Sequence, residues 1–402
     1  MFEHVAFSSE PGARACQSAI LGDLDADGYD ELLVIDQSRH ELTESISAGV
    51  FGAAYLFYGR ANFPAQLSVL DAELIIRGAA VGAGLGDLNG DGYDDAGVAS
   101  SCTCDEHASN AFCACPQASG VLLLLGGTQR YFGQHRADLV GLHLPEEDLQ
   151  VWELAGAGDL NGDGFADFVT GGNGTQRVFA GSLSLQMKPP RLSLPAASID
   201  GVSFSAKDLD ADGFDDLMVQ GEQTKLFYGS AKRFVDGLGN ADATFTHDLD
   251  ARAWPAPVGD LDGDGKADLA LPGFLRTRFL YSGDSRFEGT LDAQLRDFSL
   301  ITRYGTLAGM TTTDLNGDRA RDILLAAKTG STASLLLLAG SGDRLGADLL
   351  IGKEQLIPAG TDFQADACLS NGGDVNGDGF EDVAVGVAGG GVWLLLGAPF
   401  DD

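Results

Sequence analysis

Positive charge is scarce in this chain. Lys and Arg number 25 against 59 Asp and Glu in 402 residues, a formal net charge of −34. A surface of that sign repels nucleic acid and anionic lipid, so neither is an expected partner. Long apolar runs are also missing: VLLLL at 121–125 is far short of the roughly 20 residues a spanning helix needs, and no membrane insertion is expected. Six histidines (His4, His40, His107, His135, His143, His247) form no metal-binding spacing, and no GxSxG elbow occurs, so the sequence carries no recognisable catalytic apparatus and a non-enzyme is expected. The amino terminus, MFEHVAFSSEPG, has no basic segment followed by an apolar one, so no secretory signal is visible in it.

What the chain does have is 44% hydrophobic residues, too many for a disordered acidic polymer, and 56 glycines between short apolar runs, a composition of many strands and tight turns. It also repeats. The stretch GDLNGDGYDD at 86–95 has counterparts in GDLDADGYDE (22–31), GDLNGDGFAD (158–167), KDLDADGFDD (207–216), GDLDGDGKAD (259–268), TDLNGDRARD (313–322) and GDVNGDGFED (373–382). Leading aspartates recur every 49 to 72 residues, which suits one four-stranded antiparallel sheet per repeat. A strand made of small residues precedes each loop, as in VGAGLG (81–86). A β-rich run follows it, as in DFVT (167–170), and a further strand ends in glycine or serine, as in AAYLFYG (53–59) and TKLFYGS (224–230). The expected fold is all-β: a single seven-bladed β-propeller domain over 1–402. The seventh repeat stops soon after its third strand at Gly397, and FEHVAFSS (2–9) has the pattern of the missing outer strand, so the amino-terminal segment is expected to complete the last blade.

Through these loops and the strands around them the chain resembles the FG-GAP repeat family, which forms the seven-bladed propeller head of integrin α chains. The literal Phe-Gly and Gly-Ala-Pro signatures are largely missing, although GVAS (97–100) and VGVA (385–388) stand where the latter would. The resemblance implies a calcium-stabilised module with its ligand face opposite the loops.

Within the loop at 86–95, oxygen side chains stand at positions one, three, five and nine, counted from Asp87, with glycine at six and a main-chain carbonyl available at seven. Alternate residues of a tight loop converge on one centre, glycine permits the left-handed turn, and calcium takes six to eight oxygens where magnesium demands a strict octahedron. An EF-hand is excluded because position twelve, Val98 here and Val34 in the first loop, falls inside a strand. The implied ligands are Asp23, Asp25, Asp27, Tyr29 and Glu31 in the first loop, Asp87, Asn89, Asp91, Tyr93 and Asp95 in the second, and Asp159, Asn161, Asp163, Phe165 and Asp167 in the third. The fourth, fifth and seventh contribute Asp208, Asp210, Asp212, Phe214 and Asp216; Asp260, Asp262, Asp264, Lys266 and Asp268; and Asp374, Asn376, Asp378, Phe380 and Asp382. The sixth, with Asp314, Asn316, Asp318 and Asp322, is expected to be weak or vacant. Arg319 replaces its glycine at a cost of roughly 1–2 kcal/mol in the left-handed region, Arg319 and Arg321 bring two positive charges close to the expected ion, and an arginine there can take the ion's place by pairing with the carboxylates. Six or seven structural calcium ions follow. Sites of this type bind at about 10⁻⁴ to 10⁻³ M, which suits an extracellular or cell-surface setting.

Two insertions, 36–49 and 101–116, lie between second and third strands, on the side away from the acidic loops. They make that face the candidate binding surface of a monomeric adhesion or interaction module whose ligand is a protein or a glycan. The competing readings are a propeller lectin, with Trp152, Trp254 and Trp393 as stacking platforms, or the non-catalytic propeller of a larger secreted hydrolase. Cys102 with Cys115 and Cys104 with Cys113 fit one hairpin register, as two stacked disulfides, as a four-thiolate zinc site or as free thiols. Cys16 and Cys368 precede the loops of the first and seventh repeats, which adjoin on closure, by seven and six residues, a one-residue mismatch that leaves both a bridge and an unpaired arrangement open. Alkylation without reductant followed by peptide mapping is expected to leave the four insertion cysteines unmodified in nested bridges; stoichiometric zinc would instead establish the metal site.

Overall fold

The computed structural model describes residues 4–8, 15–40, 50–100, 120–136, 142–145, 151, 153–172, 175–186, 197–200, 202–221, 223–233, 238–246, 256–271, 276–282, 286–292, 297–302, 306–329, 332–340, 344, 349–351, 356–357, 363–364, 367–387 and 391–400. Strands dominate them; the described helical segments are two 3₁₀ turns, Val69–Asp71 and Leu183–Gln186. The strands fall into seven sheets, one per repeat.

In each sheet the strand before the acidic loop pairs antiparallel with the strand after it, and that second strand with a third. Sheet 1 comprises Ala15–Ile20, Leu32–His40, Val50–Phe57 and Leu74–Arg77. Sheet 2 has Val81–Gly86, Asp95–Ser100, Gly120–Leu124 and Leu142–Pro145, and sheet 3 has Glu153–Gly158, Asp167–Gly172, Thr175–Phe179 and Ala197–Asp200. Sheet 4 has Val202–Lys207, Asp216–Gln220, Thr224–Phe227 and Ala243–Thr246; sheet 5 has Ala256–Gly259, Asp268–Leu271, Arg276–Leu280 and Phe298–Thr302. Sheet 6 has Thr306–Thr313, Asp322–Thr329 and Thr332–Leu338, with Leu356–Ile357 and Phe363–Gln364 both pairing the third strand. Sheet 7 has Ala367–Gly373, Asp382–Val387 and Gly391–Leu395, and takes His4–Ser8 as its fourth strand, antiparallel, with Val5 opposite Leu394.

Besides sheet 6, whose third strand takes two short partners, sheets 1, 4, 5 and 7 depart from the four-stranded expectation. Each carries a fifth, parallel strand supplied by the repeat that follows: Gly133–Arg136 beside Leu74–Arg77, Gly289–Asp292 beside Ala243–Thr246, Leu349–Ile351 beside Phe298–Thr302, and Gln66–Ser68 beside His4–Ser8. The chain thus runs from the end of a third strand back along the preceding sheet's outer edge. These straps cover an otherwise open row of backbone donors and acceptors.

Period-two alternation sends neighbouring residues of one strand to opposite sides. Leu33 and Ile35 pack with Ala96, Val98, Leu122 and Leu124 of sheet 2, whereas Leu32 and Val34 pack with Val375, Ala384, Val392 and Leu394 of sheet 7. The same pattern gives seven apolar clusters, one between each pair of successive sheets and one between the seventh and the first. Small residues in the inner strands let backbones meet: a methyl on Gly84 would lie 2.5 Å from the Leu21 carbonyl oxygen. Deleting residues 1–8 strips Gly391–Leu395 and Gln66–Ser68 of their partner strand at once. The expected outcome is a lowered urea midpoint together with self-association in size-exclusion chromatography.

Candidate metal centres

Each acidic loop is organised by its own carboxylates before any ion is considered. In the second loop Asp87 Oδ1 accepts from the N–H groups of Gly90 and Asp91 at 2.6 and 3.1 Å, and Asp87 Oδ2 accepts from Gly92 at 2.8 Å. Asp91 Oδ1 accepts from Tyr93 N–H at 3.1 Å. The position-one acceptor is repeated by Asp23, Asp159, Asp208, Asp260, Asp314 and Asp374. Converging N–H groups require left-handed backbone, and φ at position six is +88° for Gly28, Gly92, Gly164 and Gly379. Arg319 takes φ +72° and still donates to Asp314 Oδ2 at 2.9 Å, so the loop is built as elsewhere despite the strain.

The ninth position heads the second strand and is buried in every repeat: Glu31, Asp95, Asp167, Asp216, Asp268, Asp322 and Asp382 are 0% exposed. One oxygen accepts from the N–H of position two, as Asp95 Oδ2 does from Leu88 at 2.9 Å. In six repeats the other accepts from the end of the third strand, from Gly126, Gly181, Gly229, Ser282, Gly340 and Gly397. Burial pushes these acids up, to about 7 for Asp95, Asp167, Asp268 and Asp382, about 8 for Glu31 and Asp216 and about 6 for Asp322, although the backbone donors pull the other way. Like charges at positions one, three and five add to the rise.

Carboxylate oxygens of Asp23, Asp25, Asp27 and Glu31 lie within 4.8 Å of one another, as do those of Asp208, Asp210 and Asp216 and of Asp260, Asp262 and Asp268. In the second, third, sixth and seventh loops Asn89, Asn161, Asn316 and Asn376 put an amide at position three. Side chains at position seven pack instead of facing the centre. The Phe165, Phe214, Phe380 and Tyr29 rings lie against Gly90, Gly162, Gly317 and Gly377 of the preceding loops.

Two features escaped the sequence reading. Position eight links successive loops: Asp94, Asp215, Asp30 and Glu381 accept from the N–H of Asp23, Asp159, Asp374 and Asp314 at 3.1, 2.9, 2.8 and 3.1 Å. Main-chain N–H groups at the same position donate to the carbonyls of Asp23, Asp87, Asp159, Asp208, Asp314 and Asp374. The second feature is arginine. Among the described residues Arg319 forms no ion pair, and Arg321 turns to Glu381 of the next loop, so a guanidinium in place of the ion is not what the sixth loop contains. Three other loops receive one from outside: Arg130 reaches Asp25 and Asp27, Arg286 reaches Asp210 and Asp212, and Arg344 reaches Asp262 and Asp264. A shared signal was available, for each arginine stands four residues beyond the glycine or serine that ends a third strand.

Trp393 is half-buried between Ala6 and Val385 and packs on the core of the sixth and seventh sheets, which removes it as an exposed platform. Trp152, Trp254, Cys102, Cys104, Cys113 and Cys115 lie outside the described residues.

Residues 159–219, which hold the third and fourth loops, match the family model of the FG-GAP-like repeat. A search of curated proteins returns no match. Among solved structures the chain is similar to BBS1N in its complex with ARL6DN, at 10% identity and TM-score 0.46 over 98% of this chain and 99% of that one. It is similar to the Dos1 propeller at 9% identity and TM-score 0.46, over 100% and 96% of the two chains. An Agrocybe aegerita lectin that recognises non-reducing terminal N-acetylglucosamine aligns at 13% identity and TM-score 0.43, over 95% and 88%.

The raised position-nine acids set a pH dependence for the metal-free protein. Their folded pKa values lie above the ordinary carboxylate range, so their contribution to stability is complete below about pH 4 and is lost as pH rises through about 6 to 8. In chelator the melting temperature is expected to fall between pH 5 and pH 8, and Asp95→Asn is expected to flatten that slope; a melting temperature that climbs over this interval would contradict the assignment.

Proposed function

We propose that the seven sheets are the blades of one closed β-propeller spanning 1–402, stabilised by calcium in its inner loops and serving as a non-catalytic binding module at the cell exterior. The observation that carries the calcium reading is the donor set. In every loop an aspartate stands at positions one and five, an aspartate or asparagine at position three and a buried acid at position nine, so oxygen side chains surround one turn with no sulfur ligand among them. Hard oxygen donors of unequal reach suit calcium better than the rigid octahedron of magnesium. When bound, the ion would be held by positions one, three, five and nine and would replace mutual repulsion by attraction. Among the loops with asparagine at position three, Asp314, Asn316, Asp318 and Asp322 would hold it least well, because strain at Arg319 weakens that loop.

Closure of the ring is supported by the pairing of His4–Ser8 with Gly391–Leu395 and by the apolar cluster between the first and seventh sheets. The inner strands of those sheets also meet: Asn371 Nδ2 donates to the Ile20 carbonyl at 2.9 Å, and Ile20 N–H donates to Asn371 Oδ1 at 3.3 Å. A Cys16–Cys368 bridge belongs to this reading. Cys368 is not a free thiol, and bulges in both strands remove the mismatch in residue count. Cys16 is the extra residue between Ala15, opposite Asp36, and Gln17, opposite Ile35, while Leu369 to Gly372 absorbs another irregularity. The peptide map described for the insertion cysteines tests this bridge too.

Second strands run away from the acidic loops, so the segments 41–49 and 101–119 join strand ends on the opposite side. That side is the proposed docking face, and a protein partner is preferred to a glycan because the three tryptophans do not recur at one repeat position and Trp393 packs partly buried against the core. A surface-protein pulldown run beside a glycan array decides: glycan capture without protein capture would reverse the preference. For the metal, a chelator is expected to lower the melting temperature at pH 7.5, calcium to restore it and magnesium to restore little. Identical melting curves in chelator and in millimolar calcium would refute a structural calcium role.

A further inference from the structure

The three arginines that enter acidic loops do so in one geometry. Nε of Arg130, Arg286 and Arg344 meets Oδ2 of the position-three aspartate, Asp25, Asp210 and Asp262, and Nη2 meets Oδ2 of the position-five aspartate, Asp27, Asp212 and Asp264. The position-three side chains are left only 5, 8 and 0% exposed. Each guanidinium also lies over a tyrosine ring at the end of the clamped repeat's third strand: Tyr58 at 4.6 Å, Tyr228 at 4.7 Å and Tyr281 at 5.3 Å. The residue after the arginine then donates its N–H to the tyrosine hydroxyl, Tyr131 to Tyr58 at 2.7 Å and Phe287 to Tyr228 at 2.8 Å. From there the chain enters the parallel strap on the same sheet's outer edge.

These residue choices travel together within the one chain. Position three is aspartate only in the first, fourth and fifth loops, and only those repeats end their third strand in Tyr-Gly or Tyr-Ser. Where position three is asparagine, the residue ahead of that glycine is Leu125, Ala180, Ala339 or Leu396. The residues standing where the next repeat's arginine would be are then Leu185, Arg233, Asp401 and Phe63. Arg233 is the internal control. It has the right offset, but the preceding loop offers Asn161, and its guanidinium goes to the Tyr228 carbonyl and Asp242 instead. In the sixth and seventh loops the asparagine itself supplies the donor, Asn316 Nδ2 to Asp318 Oδ2 and Asn376 Nδ2 to Asp378 Oδ2, both at 2.9 Å.

We infer that the chain has two classes of acidic loop, and that in the first, fourth and fifth a guanidinium from the following repeat serves as the resident cation. A fourth carboxylate raises the repulsion within these loops, and a planar fork that bridges two carboxylates offsets it without an ion. The same charge opposes a divalent ion at those oxygens. Tight calcium binding therefore belongs to the asparagine class, led by the second, third and seventh loops. Its calcium aspect rests on the proposed function; the metal-free aspect does not.

The test uses the whole chain and its Arg130→Met, Arg286→Met and Arg344→Met variants, which keep an apolar stem over the tyrosine. Melting in chelator and calcium stoichiometry by equilibrium dialysis are measured for each. Every variant is expected to melt lower than the parent in chelator and to gain one calcium ion, that loop's affinity rising about tenfold or more. Adding Asp25→Asn to Arg130→Met, which rebuilds the asparagine class, is expected to recover the chelated melting temperature. Unchanged melting in chelator, or calcium binding that stays the same or weakens on removal of the arginine, overturns the inference. If no calcium binds to parent or variants while melting in chelator still drops, the calcium reading fails and the guanidinium's role as resident cation stands.

Discussion

Everything in this molecule hangs on a carboxylate at the ninth loop position, buried where three strands of a repeat come together. Asp95 shows why. It heads the second strand, and one of its oxygens takes the N–H of Leu88 inside the loop while the other takes the N–H of Gly126 where the third strand ends. A single side chain thereby fixes the turn between the first two strands and the close of the third. A buried carboxylate is costly unless its lone pairs are filled, and here backbone donors fill them. The residual penalty appears as the raised pKa values along the whole series.

The loops that surround these acids meet the same problem of concentrated negative charge with three kinds of positive partner. Backbone N–H groups of the left-handed turn converge on the leading aspartate in all seven repeats. Arginines of following repeats reach three of the loops, and the oxygen geometry suits a divalent ion. These partners also tie repeats together. The arginine comes from the next repeat, the position-eight acid caps the previous loop's leading N–H, and that loop's carbonyl accepts from the position-eight amide. Electrostatic relief within one loop is thus supplied by its neighbours, which makes an isolated repeat poorly stable and a complete set cooperative.

Packing between sheets follows from the β period alone. Residues such as Leu32 and Leu33, adjacent in sequence, serve different clusters, so each second strand is buried on both sides and reads as a continuous apolar run. Outer edges are where the repeats differ. Four sheets are covered by a parallel strap from the next repeat, and three of those straps begin just after a loop-binding arginine. Charge pairing at the inner loop and edge protection at the rim are accomplished by one continuous stretch of chain.

Sequence alone was enough for the all-β class, the seven repeats, the small-residue strands and the pairing of the amino-terminal segment with the last repeat, because each of these depends on local pattern or on counting. It was also enough for the left-handed backbone at Arg319, since the position is set by its six glycine equivalents. Its reading of an arginine in the sixth loop as a stand-in cation did not survive, because Arg319 lends that loop its main-chain N–H while the Arg321 guanidinium pairs with Glu381 of the next loop. The straps, the position-eight links and the loop-binding arginines were decided by tertiary structure. Tyr58, Asp25 and Arg130 were all in view, yet they are 33 and 105 residues apart from Asp25 along the chain. Only the stacking of one repeat against the next brings a guanidinium four residues past a strand end onto two carboxylates of the loop before it.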